Sequence, residues 1–119
     1  MLIGDRPIAR EIEAAISTAS IAELHLGLLV ADDEPARAQR AARMGVIEAR
    51  FPDPLPVDDR VAREWGRLQA AVSTRGGQPR KRLADLAIAA TANVHGVPLL
   101  TNNVEDLAIV ADLVDVQTP

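Results

Sequence analysis

With 119 residues, 48% of them hydrophobic and 25% charged, the chain has the size and balance of one soluble globular domain. It offers no run of about 18 apolar residues to span a membrane, and no cysteine for a disulfide, a thiolate zinc site or a Cys nucleophile. One Trp, one Phe and no Tyr disfavour base-stacking platforms, and a net charge of −4 disfavours a general nucleic-acid coat. An enzyme holding a metal ion in an acidic pocket, with a local basic patch for a phosphate backbone, remains compatible with both.

The opening "MLIGDRPIAREIE" has acidic residues where a signal peptide places basic and then apolar ones, so the chain is read as cytoplasmic. "PIAREIEAAI" puts Ile8, Ile12 and Ala15 or Ile16 on one helical face behind Pro7. "AAIST" is a short apolar run suited to a buried strand. "SIAELHLGLLVA" follows as a helix with Ser20 as its natural N-cap. "DEPARAQRAARMGVIEARF" is amphipathic, opened by acids and Pro35. "DPLPV" suits a short strand or an extended connector, and "DDRVAREWGRLQAAVSTR" spaces Val61, Trp65, Leu68 and Val72 as one helical face.

"GGQPRKR" is the clearest loop. "LADLAIAATA", from Leu83, is almost wholly Ala, Leu and Ile and predicts a buried helix that stops at Gly96. "VPLLT" reads as a strand covered on both faces, "NVEDLAIVA" as a short helix and "LVDVQ" as a last strand. Helices alternating with short apolar strands indicate an α/β domain with a central, mainly parallel sheet and helices on both faces. Functional groups then gather at the strand C-termini.

The acids gather there too. Glu23 stands three residues after Ser20, the spacing of a capping box, and equally projects from a strand-to-helix junction. Asp85 either complements the dipole at the start of its helix or ligates a cation; a bare carboxylate in so apolar a segment is costly without a partner. Asp106 and Asn103 are first-turn and turn residues, or further oxygen donors. Together these groups suit Mg²⁺ or Mn²⁺, hard ions that lower the pKa of bound water and offset phosphoryl charge. Arg80, Lys81 and Arg82 are a solvated loop or a grip on RNA phosphates. His25 and His95 have no partner at ligand spacing.

"STASIAELHLG" and above all "RLADLAIAATANVHGVPLLTNNVEDL" resemble segments of the PIN-domain ribonucleases, in particular the VapC toxins of bacterial toxin–antitoxin pairs. The resemblance runs from about Ile16 to the C-terminus. It implies a PIN-like fold, with Glu23 and Asp85 at the second and third acidic positions. The fourth falls at or near Asn103, with Asp106 one helical turn on. It further implies a metal-dependent endoribonuclease, a cognate antitoxin that blocks the cleft with a segment often carrying Arg, and a homodimer. Glu23, Asp85 and Asp106 would then hold the metal, and Arg80, Lys81 and Arg82 the RNA.

One departure is expected to matter. The family's first strand and its Asp have no counterpart in the opening residues, and the role is not carried onto Asp5. The chain is therefore read as a single PIN-like domain, 1–119, short at its N-terminus. The alternative reading is a PIN-like protein that binds antitoxin or RNA without cleaving.

Overall fold

Ser17 opens the first helix of the computed structural model, which describes residues 15–118. Its extended backbone leaves the side chain free to accept from the Ala19 amide at 3.0 Å, and helix α1 runs Thr18–Leu29. The cap expected at Ser20 thus falls three residues earlier, and Ser20 is buried in the first turn. The expected strand ahead of it is reduced to one parallel bridge, Ser17 to Leu55. Leu55 N donates to Ile16 O at 2.7 Å and Thr18 N to Leu55 O at 2.9 Å. The proline-bounded "DPLPV" is accordingly an extended connector, anchored again where Val57 N donates to Thr18 Oγ1.

The next two helices begin as their sequences indicate. Asp33 accepts from Ala36 N at 2.8 Å and Pro35 lies in the first turn of α2, Glu34–Arg50. Asp58 accepts from Val61 N at 3.0 Å to start α3, Asp59–Thr74. This helix buries Val61, Leu68 and Val72. Trp65 is half-buried, and its indole N–H donates to Leu83 O at 3.0 Å.

Gly76 then takes a left-handed φ of 87°, and Gly77 presses against its surroundings. A Cβ on Gly77 would stand 2.8 Å from both Ile109 Cδ1 and Val72 Cγ1. The basic run expected as a loop is a 3₁₀ turn, Pro79–Arg82, leading directly into α4, Leu83–Val94. Every residue of α4 from Leu86 to Ala92 is buried. Its alanines let α3 approach closely, and α3 against α4 is the most extensive contact between elements.

Strand β1, Leu99–Leu100, pairs in parallel with β2, Val116–Gln117. The segment between them, expected as a helix, is a 3₁₀ stretch, Val104–Val110. Seven residues is long for that geometry, whose hydrogen bonds are poorer than those of an α-helix. The parallel α/β arrangement is therefore present, with one two-stranded sheet and one bridge among the described residues. Leu68, Leu86, Ile88, Leu99, Leu107 and Val110 anchor the main core, and Ile16, Phe51 and Leu100 form a smaller one. No helix among the described residues is long and apolar enough to cross a membrane. The expected first helix and Asp5 lie outside the described residues.

Candidate functional site

A buried hydroxyl relay fixes the two helices that carry the acids. Ser17 Oγ lies 3.3 Å from Thr91 Oγ1, and Thr91 donates to the Ala87 carbonyl at 2.8 Å. A threonine hydroxyl has one proton, so Ser17 is the donor across the gap. Both residues are fully buried. Glu23 follows Ser17 by six residues and Asp85 precedes Thr91 by six, so one joint sets the placement of both carboxylates. Thr91→Val keeps the shape of that joint and strands the Ser17 hydroxyl. The expected loss is about 1–3 kcal/mol in urea unfolding, the cost of an unmade buried hydrogen bond.

Glu23 sits in the second turn of α1, six residues past the true cap, which rules out the capping box with Ser20. The residue as a whole is exposed, and the water is lost around its carboxyl end. That desolvation, and then the charge of Asp85, push its pKa above the usual glutamate value. Asp85 is in the first turn of α4 and half-buried. Burial raises its pKa first and Asp106 second, while Arg82 opposes them.

The four acid and amide residues singled out from sequence meet. Glu23, Asp85, Asn103 and Asp106 line one cleft of about 200 Å³ with Thr101 and Leu107. Thr101, buried at the end of β1, accepts from Asn103 N at 3.1 Å and so shapes the turn between them. Sequence reasoning passed it over, although it ends the apolar run at the place where such folds put their functional groups. Neither histidine lines the cleft: His25 is exposed on α1 and His95 ends α4.

The basic run divides. Arg82 Nη2 reaches Asp106 Oδ1 at 3.1 Å, whereas Arg80 and Lys81 are exposed on the 3₁₀ turn. The Arg82–Asp106 pair had no signal in the sequence, because its members are 24 positions apart. A second polar cluster also went unforeseen. Asn93 Nδ2 donates to Glu64 Oε2 at 2.8 Å and to Leu113 O at 3.0 Å, while Arg67 pairs with Glu64. It ties α3 to α4 away from the cleft.

The cleft offers hard oxygen donors alone, which is the set a divalent cation such as Mg²⁺ or Mn²⁺ takes. Two carboxyls whose ionised forms are penalised by burial and by acidic neighbours gain from such an ion, so the residues fit it. Among the described residues no three His, Cys, Asp or Glu side chains converge closely enough to hold one ion. Asp106 lines the same cleft but is engaged by Arg82.

The PIN domain family matches residues 5–113 of the chain. Ribonuclease VapC5 of Mycobacterium tuberculosis (strain ATCC 25618 / H37Rv) is 37% identical over 89 residues, covering 75% of this chain and 63% of the relative. The chain thus spans somewhat under two thirds of that relative's length. Ribonuclease VapC4 of the same strain is 34% identical over 101 residues, 85% of this chain and 74% of that protein. Among solved structures, VapBC-5 of Mycobacterium tuberculosis, a member of the VapBC family of toxin–antitoxin systems, superposes with a TM-score of 0.74. Identity there is 35%, over 87% of this chain and 79% of that one. VapBC2 of Rickettsia felis, bound to a DNA fragment from its promoter, matches in fold with a TM-score of 0.70 at 21% identity, over 88% and 74% of the two chains.

Proposed function

Because the chain belongs to the PIN domain family, we propose that it is a divalent-metal-dependent endoribonuclease toxin neutralised by a cognate antitoxin. The observation that carries this reading is that Glu23, Asp85 and Asp106 line one small cleft beside a basic turn. Relatives named ribonucleases and a toxin–antitoxin structural neighbour supply the reaction class and the partner.

Glu23 and Asp85 would hold Mg²⁺ or Mn²⁺, with Asp106 as a further ligand. A bound ion of this kind supplies an acidified water and neutralises charge on the phosphoryl group. Asp106 and Asn103, which line the same cleft, would orient water there towards a phosphodiester. Arg80, Lys81 and Arg82 bind the flanking phosphates, an interaction that weakens as salt rises. Thr101 holds the Asn103 backbone in register with β1.

The antitoxin is assigned a second surface. An apolar groove of about 480 Å³, walled by Leu26, Val57, Trp65 and Leu83, opens beside Glu23. An antitoxin segment with apolar side chains and an arginine would fill the groove and place its cation on the acids. Charge complementarity sets that register. A homodimer belongs to the same proposal.

The reading is tested by cleavage of a labelled RNA in Mn²⁺ and in EDTA. Cleavage is expected only with the cation, and Glu23→Gln is expected to reduce it by at least about 100-fold, the upper range for disturbing a metal site. Equal cleavage in EDTA, or by Glu23→Gln, contradicts it.

A further inference from the structure

We propose that Arg82 is the internal counter-ion of Asp106, and that Arg82 and a divalent cation compete for this carboxylate, so that loading the cation releases the guanidinium to an RNA phosphate. This rests on the metal-centre reading above, and extends it to the order in which the site assembles.

Three observations carry it. Arg82 and Asp106 come from two separate segments, the 3₁₀ turn ahead of α4 and the 3₁₀ stretch after β1, and meet at 3.1 Å. Their side chains keep 43% and 38% of their exposure, so the pair is weak enough to exchange with a competing ion. Asp106 rides on a seven-residue 3₁₀ stretch, a geometry whose poor hydrogen bonds make small readjustments cheap. Asp106 lines the cleft with Glu23 and Asp85, yet among the described residues no three acids stand close enough to hold one ion.

The other end of the exchange is equally placed. Arg82 occupies the N-cap position of α4 without capping it, and its second nitrogen, Nη1, donates to the Lys81 carbonyl. Released from Asp106, the guanidinium stays on the turn that carries exposed Arg80 and Lys81. It would then add a planar, two-pronged donor to that strip, suited to phosphate oxygens. Before the cation arrives, Arg82 spends its charge on Asp106. Arg82 is thus a positioning residue for Asp106 and a phosphate ligand afterwards.

Calorimetric Mn²⁺ titration of the full chain, as wild type, Arg82→Gln, Asp106→Asn and the double variant, tests the exchange. Both substituted positions are partly exposed. Arg82→Gln is expected to tighten Mn²⁺ binding about two- to five-fold, the scale of an exposed ion pair. In the Asp106→Asn background the same change is expected to do nothing, because the competitor acts through Asp106. An equal gain in both backgrounds means that Arg82 acts only through its general field, and overturns the exchange. So does no gain in a wild type that binds the ion. A wild type that binds no Mn²⁺ overturns the metal centre itself, a separate result.

The phosphate half has its own readout. In EDTA, anisotropy of a labelled 2′-O-methyl RNA is expected to show a larger loss on Arg82→Gln in the Asp106→Asn background than in the wild type. Equal losses overturn the release of the guanidinium.

Discussion

Asp85→Asn is expected to abolish RNA cleavage and, in EDTA at pH 7, to give a protein that melts a few degrees higher than the wild type. Both effects have one cause. The Asp85 carboxyl is half-buried, raised in pKa by burial and then by Asp106, with Arg82 only partly opposing. Its folded-state pKa therefore exceeds its unfolded one, and the folded protein holds more protons in between. For an acid shifted this way, the group favours folding below its ordinary value of 3.8 and progressively opposes it as pH rises through the raised value. As pH rises from 3 towards 7 the wild type takes on this penalty, which the neutral amide removes. Near pH 3 the wild-type carboxyl is itself protonated, so the gain from Asp85→Asn is expected to vanish. Glu64 and Asp112, whose pKa values are held down mainly by hydrogen bonds from Arg67 and Arg75, act in the opposite sense. They are common to both proteins and cancel in the comparison. Melting curves of the pair in EDTA at pH 3 and pH 7 check the result. A lower melting temperature for Asp85→Asn at pH 7 contradicts it.

Leu68→Ala is expected to lower stability by about 2–5 kcal/mol without altering the cleft of the folded protein. Leu68 is wholly inaccessible on the buried face of α3, within the core built around α4. Truncation removes its transfer energy and leaves a cavity that the alanine-rich α4 cannot fill by moving one side chain. That loss is a large share of the roughly 5–15 kcal/mol by which domains of this kind are stable. Urea unfolding should show a lower midpoint at an unchanged slope. Because Leu68 does not line the cleft, cleavage per folded molecule is expected to persist well below the melting temperature. A variant that stays fully folded with cleavage lost would mean that α3 positions the acids directly.

Several elements were legible because their signals are local. Asp33 with Pro35, and Asp58, cap α2 and α3 where the sequence places them, and the apolar spacing of Val61, Leu68 and Val72 marks the buried face. Asp85 in an otherwise apolar helix pointed to the cleft, and Glu23, Asn103 and Asp106 meet it there. What escaped depends on distant partners. Ser17 and Ser20 are equally good caps by type, and the choice falls to Ser17 through Thr91, 74 positions away. Leu107 and Val110 are three apart, a spacing that serves a 3₁₀ stretch as well as an α-helix, so the short helix was legible but its 3₁₀ winding was not. The Arg82–Asp106 pair joins two turns brought together only by the packing of α4 on β1. Asp5, onto which the role of the family's first Asp is not carried, lies outside the described residues.

Mn²⁺ calorimetry on wild type and Asp85→Asn tests most directly whether Glu23, Asp85 and Asp106 form a divalent-cation site. Saturable binding by the wild type is expected, with its loss, by about 100-fold, in Asp85→Asn. Equal binding by both proteins, or none by a folded wild type, would contradict it.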